Sequence, residues 1–459
     1  MIGAYGTGST PAILGSDRFD TPELWHDDGD NRWYLQHIKD EPGMVLHDGQ
    51  YGVRRTTLEA LADPWDFYHD GARKRLYVHS DTNPATQASR IEIPVREFAA
   101  GPLEADHVIL RELAFGHGWN MSLLAWDGDH LTLDGCRFVA SPGNHVQFNN
   151  GSNFGDVTGC HFDDWNTRDT LAYAVQVIAE GSGPVDIERC EFRASRRGGG
   201  DDHTAIMNDF DGWVRTVRHC TFQGNGGALA DEGVVIWRPN AAADVVVISD
   251  NTFEGVGGTA IGVQELNHYG ARPDVQIVRN RITGACLRDD LDKEALRARL
   301  FGAESPVLIA YNVVDGVPQG SHPHPGIGVR EVNGLRIVNN LVRGADTGIE
   351  LKQTVENVFL RNNIVVGNRG AGIYVGPTAR NIDSNHNCLH TNGDGAVVGG
   401  SVGDNTLTAD PMLDQRLALQ PGSPCIDAGA AIEGLKADLG GTAVPQGDAP
   451  DIGVLEYVP

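Results

Sequence analysis

The sequence has no surplus of positive charge. Against 62 Asp and Glu it sets only 36 Lys and Arg, a formal net charge of −26. A surface of that sign repels phosphate backbones and anionic bilayers, which argues against nucleic-acid binding and peripheral membrane attachment. No apolar run approaches the ~18–20 residues that a membrane-spanning helix requires. Cysteine is sparse and odd in number: seven in 459 residues, with none of the C-x-x-C pairs that hold zinc and no evident disulfide framework. Glycine is what abounds, at 58 residues, well above the average of roughly 7%. With no Gly-X-Y period and 40% hydrophobic residues, collagen and wholesale disorder are excluded and a turn-rich β protein remains.

One short pattern recurs from the second hundred residues onward: an apolar alternation, then Cys or Asn, then one residue and an apolar one. It reads LTLDGCRF, DVTGCHF, VDIERCEF, RTVRHCTF, VVVISDNTF, VQIVRNRI, VLIAYNVV, LRIVNNLV, VFLRNNIV and IDSNHNCL. The shared position is Cys136, Cys160, Cys190, Cys220, Asn251, Asn280, Asn312, Asn340, Asn363 and Asn387, at intervals of 23–32 residues. That spacing suits one turn of a parallel β solenoid with loops of variable length. Coils stack at about 4.8 Å, so equivalent side chains form columns along the axis. An inward Asn at a bend can satisfy the backbone of the neighbouring coil, and Cys replaces it as a small buriable hydrophobe. A tetrahedral metal site is a poor alternative, because a column of thiols cannot surround one ion.

A second strand follows each ladder residue by about ten positions, as in AVQVI, GVVIW, GIGVRE and GIELKQ. Alternation puts Ile and Val inside and predicts two outward columns. One runs Gln147, Gln176, Met207, Val235, Gly262, Gly328, Glu350, Tyr374; the other runs Asn149, Ile178, Asp209, Trp237, Gln264, Arg330, Lys352, Gly376. Residues 288–301, RDDLDKEALRARLF, have helical composition and predict a short helix in a surface loop.

From about Asp106 to Asp404 the chain resembles the right-handed parallel β-helix proteins, a family rich in polysaccharide lyases, uronan epimerases, glycoside hydrolases and phage tailspikes. ADPMLD (409–414), LQPGSPCIDAG (419–429) and DIGVLEY (451–457) resemble the closing segment of secreted bacterial members, and IGAYGTGSTPAI (2–13) resembles their first coil. The expectation is an all-β, right-handed parallel β-helix of about ten to twelve coils. Residues 1–105 would supply early coils and a β insertion that caps the end, 106–404 the solenoid, and 405–459 the closing segment. The resemblance also implies an extracellular or periplasmic protein, whose export signal lies outside this sequence.

A solenoid core is inert, so chemistry must sit on an outward face. Arg330 and Lys352 should lie one coil apart in the same column, with Glu350 beside them. Two stacked cations repel unless an anion bridges them, and a uronate carboxylate would do so. By resemblance to the β-helix lyases, Arg330 would neutralise the substrate carboxylate and Lys352 would abstract the acidified α-proton, with His324 or Tyr269 as proton donor. The bland alternative pairs Arg330 with Glu350 on an ordinary sheet face. Trp237 and Arg238 read as a sugar-stacking platform, with Gln264, Asp209 and His268 as further substrate contacts.

A rival reading is a glycosidase, which needs paired carboxyls; Asp201/Asp202, Asp209/Asp211 and Asp231/Glu232 all qualify. A third is a non-catalytic glycan-binding or structural solenoid. Calcium is the one cofactor that the composition suggests, with Glu265, Asp209 and Glu331 as oxygen donors. His322 and His324, in GSHPHPG, are candidates for a metal ligand or a general base.

Overall fold

The computed structural model describes residues 1–165, 172–179, 181–194, 203–224, 232–266, 273–287, 293–299, 306–318, 323–401 and 403–458. The chain winds as a right-handed parallel β-helix with three parallel sheets of twelve strands each. Sheet A begins at Ile2–Gly3 and ends at Arg380–Asn385; sheet B begins at Ala12–Leu14 and ends at Cys388–His390; sheet C begins at Phe98–Leu103 and ends at Val397–Val398. A coil gives one strand to each in turn, as in Thr132–Asp134, Arg137–Val139 and Asn144–Asn149.

The Cys/Asn column lies at the bend between sheets A and B. The residue just before each ladder position adopts positive φ, from Gly135 at 61° to His386 at 51°. Eight of these ten are not glycine, and they hold a conformation that L-residues rarely adopt. The ladder over-determines the bend. Asn340 Nδ2 donates to the carbonyls of Ile309 and Val338 and to Asn363 Oδ1, while Asn340 Oδ1 accepts from the Asn312 amide and side chain, all at 2.9–3.1 Å. The same pattern repeats at Asn251, Asn280, Asn312 and Asn363. In the earlier coils the buried thiols donate instead to carbonyls, as Cys190 does to Val157 at 3.4 Å.

Inside sheet B those earlier coils stack six phenylalanines, Phe115, Phe138, Phe162, Phe192, Phe222 and Phe253, with centroids 4.4–5.4 Å apart. Beyond Phe253 the column continues as Ile282, Val314, Val342, Val365 and Leu389.

Residues 16–94 form an inserted module of two sheets, antiparallel except for the pair Val53–Arg54 with Asp66–Asp70, with its own apolar core, and it packs beside the early coils through Met44 and Leu46 against Ala140. At the C-terminal end of the rod Leu407 donates to the Asn387 carbonyl at 2.7 Å and accepts from Leu389 at 2.8 Å, while Leu417, Leu419, Ile452 and Val454 pack on Leu341 and Ile364. This answers the exposed pairing groups of a solenoid's last coil.

One expectation is overturned. Within 288–301 the described stretch is a strand, Leu296–Arg299, paired in sheet C between Thr259–Gln264 and Ile327–Arg330. Leu296 and Ala298 are buried and Arg297 and Arg299 face out, a period of two that won over helical composition. Each outward column therefore has one more member than the sequence reading gave it.

Candidate functional site

On the outward face of sheet C the pairing register sets Gln264 beside Arg299, Arg299 beside Arg330 and Arg330 beside Lys352. Three cationic side chains thus stand in one row on consecutive coils, about 4.8 Å apart at the backbone. Arg299 and Lys352 are 39% and 41% exposed and Arg330 18%. The row sits over buried carboxylates. Glu350, two residues before Lys352 on the same face, places Oε1 2.7 Å from Lys352 Nζ. Its Oε2 is buried and has no hydrogen-bond partner among the described residues. Burial pushes the Glu350 carboxyl above its ordinary range, against the opposing pull of Lys352.

Arg330 pairs not with Glu350 but with Glu294, Nη2 to Oε1 at 2.9 Å. Glu294 comes from the chain leading into strand Leu296–Arg299, and its Oε2 also accepts from Arg297 Nε at 2.7 Å. Room for it is made by Gly328: a Cβ there would fall 2.2 Å from Glu294 Cγ. Arg297 is saturated, since it also donates to Glu232 at 3.0 Å and to Thr259 at 2.9 Å, while Lys293 reaches Glu232 at 3.1 Å. Arg299 approaches Glu331 at 3.7 Å. Among the described residues, five cations (Lys293, Arg297, Arg299, Arg330, Lys352) meet four carboxylates (Glu232, Glu294, Glu331, Glu350), so the cluster carries 5 − 4 = +1 in a chain of −26.

Further along the same column, towards the N-terminal end, lies an aromatic and acidic patch. Asp209 is almost fully buried, accepts from the Phe210 amide at 2.8 Å, and burial pushes its carboxyl up to about 6. Asp211 shifts the same way, also through burial. Trp237 packs with Tyr173, Met207 and Val235, and the Arg238 guanidinium lies 4.1 Å over its ring. Arg238 is tied to Glu265 at 2.6 Å. The Trp237 platform is therefore already half covered by its own neighbours. Gln264 is half-buried on the same face, between Trp237 and Arg299.

Other expected residues fare differently. His324 is fully buried, its Nδ1 3.1 Å from the Lys293 carbonyl and its own amide donating to Asp346 at 2.9 Å. It cannot reach a substrate on the face as a proton donor; it braces the segment that carries Lys293 and Glu294. Its candidacy as a metal ligand or general base rested on GSHPHPG alone, whereas its ring is enclosed and its amide is held by Asp346. Tyr269, His268, His322, Asp201, Asp202 and Asp231 lie outside the described residues. Of the oxygens considered for calcium, Glu265 pairs with Arg238 at 2.6 Å and Glu331 approaches Arg299 at 3.7 Å. No group of three or more His, Cys, Asp or Glu suited to a metal occurs among the described residues. Neither is any described helix long and apolar enough to cross a membrane.

Arg297, Arg299 and Glu294 were missed by the sequence reading. The signal was present: the 32 residues between Asn280 and Asn312 must hold one strand for each sheet, and L-R-A-R is the alternating stretch within them.

Residues 206–410 match the family described as "Right handed beta helix region". No curated protein matches the chain. Among solved structures, the periplasmic alginate epimerase AlgG is similar at 12% identity over 66% of this chain and 77% of its own, with a TM-score of 0.42. XylC in complex with xylose is similar at 10% identity over 98% and 88%, with a TM-score of 0.46. A PL6 family polysaccharide lyase from Pseudopedobacter saltans is similar at 15% identity over 76% and 89%, with a TM-score of 0.41.

Proposed function

We propose that the face of sheet C is the working surface of an extracellular or periplasmic polysaccharide-active enzyme that takes a proton from the carbon next to a uronate carboxylate, ending in β-elimination or epimerisation. The observation that carries this reading is the row Arg299, Arg330, Lys352, which offers one cation per coil above internally neutralised carboxylates. A polymer with a carboxylate on every unit suits such a row and the net positive charge that the cluster keeps after its internal pairs are counted.

The chemistry follows from the Lys352–Glu350 pair. Lys352 Nζ stands on the open face, 2.7 Å from Glu350 Oε1, and its amine form is the base placed beside the sugar. That amine takes the α-proton, and the electrons released move onto the substrate carboxylate, where Arg330 and Arg299 stabilise the developing charge. In elimination the adjacent carbon–oxygen bond then breaks, its electron pair leaves with the oxygen, and the oxygen takes a proton from water. In epimerisation water returns a proton to the opposite face of the carbanion, and the Lys352 ammonium gives its extra proton back to solvent.

The test is incubation with alginate and polygalacturonate, read at the ultraviolet band of unsaturated products and by proton NMR of the polymer. Neither signal, together with reducing ends released from a neutral glycan, overturns this reading for a hydrolase. That alternative has one observation behind it: Asp209, with a carboxyl near 6, has the protonation of a general acid.

A further inference from the structure

Four of the seven cysteines, Cys136, Cys160, Cys190 and Cys220, belong to the column at the bend, and Cys286 lies near the charged cluster of sheet C. In the column the strands hold equivalent residues in register at ~4.8 Å per coil, wider than the roughly 3.5–4.5 Å between Cβ atoms that a disulfide takes. Each of those thiols also donates to a carbonyl, as Cys136 does to Leu110 at 3.3 Å.

Cys388 and Cys425 are placed differently. Cys388 stands in an outward column of sheet B that is polar as far as Arg281 and then apolar at Val313, Leu341, Ile364 and Cys388. The change of character coincides with the closing segment, which covers that stretch and buries Cys425 in the same cluster. Both cysteines are fully buried. Their thiols are hydrogen-bonded to each other, and that contact, with burial, raises the Cys388 thiol far above its ordinary range. Cys425 sits in a turn and not in a strand, with its amide donating to Ser423 Oγ at 3.2 Å and its carbonyl accepting from the Ile452 amide at 3.0 Å. Its sulfur is therefore fixed against Cys388 without being tied to the spacing of the coils.

Filling this contact needs no sulfur, since the neighbouring positions of the column fill it with Val, Leu and Ile. Two thiols alone do not enclose a metal ion, and no group of three or more His, Cys, Asp or Glu suited to one occurs among the described residues. Facing thiols in an oxidising compartment have a different outcome. We propose that Cys388 and Cys425, free in this structure, are joined by a disulfide as the protein matures, making a covalent clamp between the last coil and the closing segment. The two lie 425 − 388 = 37 residues apart, and closing that loop takes freedom from the unfolded chain. The inference goes beyond the reading of sheet C and takes from it only the oxidising compartment.

The oxidant is a second disulfide, from a small molecule or another protein. Before the closing segment docks, Cys388 stands on the outer face of sheet B, within reach. The thiolate of one cysteine attacks a sulfur of the oxidant, whose S–S bond breaks and whose other sulfur leaves with the electron pair and takes a proton. The thiolate of the other cysteine then attacks the mixed disulfide, the Cys388–Cys425 bond forms, and the second oxidant thiol departs. The pair gives up two electrons and two protons, and the oxidant gains them. Docking buries the new bond away from reductants.

The test takes the full chain exported to the periplasm of an expression host, alkylated in denaturant without reductant, and digested for mass spectrometry. The expected result is 7 − 2 = 5 alkylated cysteines and one linked pair of peptides carrying Cys388 and Cys425. The midpoint of thermal unfolding should fall by several degrees when reductant is present. Cys425→Ser should alkylate at all six remaining cysteines and melt like the reduced parent; should that variant fail to fold, the reduced and oxidised parent carry the comparison. Seven alkylated cysteines overturn the proposal, and so does a bridge between any other two. A bridge whose reduction leaves the midpoint unchanged overturns the clamp. Turnover of uronans enters none of these readings, so the reading of sheet C stands or falls separately.

Discussion

Glu294 meets Arg330 at 2.9 Å across a backbone position that has no side chain, Gly328. The two residues belong to consecutive coils, and the carboxylate that fixes the guanidinium is itself only 2% exposed. Gly328→Ala puts a methyl 2.2 Å from Glu294 Cγ. The expected outcome is a displaced Glu294, a stability loss of about 1–3 kcal/mol from overpacking, and a raised KM for uronan as Arg330 loses its support. Thermal unfolding together with steady-state kinetics checks both halves.

Lys352→Met removes the nitrogen proposed to take the proton. Activity should fall by about 10²–10⁴-fold in kcat, the range of a lost acid–base group, while the melting temperature changes little because Lys352 is 41% exposed. Arg330→Gln should raise KM and also lower kcat, because Arg330 both holds the substrate carboxylate and stabilises the charge that develops on it. Equal activity in Lys352→Met and parent, on whichever uronan is turned over, would falsify the assignment of the base.

Asp209 makes a pH prediction with a definite sign. Burial pushes its folded-state carboxyl up to about 6 from the ordinary 3.8, so between those values the folded chain holds more protons than the unfolded one. Stability from this group is present below about pH 4 and is lost as pH rises through about 6, a difference on the order of 2–3 kcal/mol. Asp209→Asn should remove that slope. Denaturant midpoints at pH 4.5 and 7.5 for the two proteins decide it.

The Cys/Asn column predicts unequal costs. Asn340→Ala strands the Asn312 amide and takes a donor from the Ile309 and Val338 carbonyls, while Asn363 Oδ1 keeps the Asn340 backbone N–H. At about 1–3 kcal/mol for each stranded buried group, the loss should be ~2–5 kcal/mol. Cys190→Ala removes one small buried group and should lose about 1 kcal/mol. Chemical denaturation ranks them, and an Asn340→Ala protein as stable as its parent removes the ladder as a source of stability.

The column itself was legible because it is set locally, by a bend every 23–32 residues and an apolar alternation on either side. Arg330 and Lys352 were placed on adjacent coils for the same reason. What escaped was set by contacts between coils. The strand Leu296–Arg299 hid beneath a helix-like density of charge, although its inward Leu296 and Ala298 kept the sheet period. Glu294 joins Arg330 only because Gly328, some thirty residues on, leaves a gap. His324 reads as a loop histidine until Asp346, which accepts from its amide, is seen to close over it.

The two adhesives of the ladder divide the rod along its length. Up to Cys220 the bend is held by thiols, and from Asn251 onward by amide chains; the two overlap by one coil, where the Cys220 amide donates to Asn251 Oδ1 at 2.9 Å and Phe222 stacks on Phe253. In a solenoid each coil is stabilised chiefly by its immediate neighbours, so the two stretches need not respond alike to conditions. Apolar contact weakens on cooling while the amide chain depends less on temperature, so the N-terminal stretch should be the first to loosen in the cold.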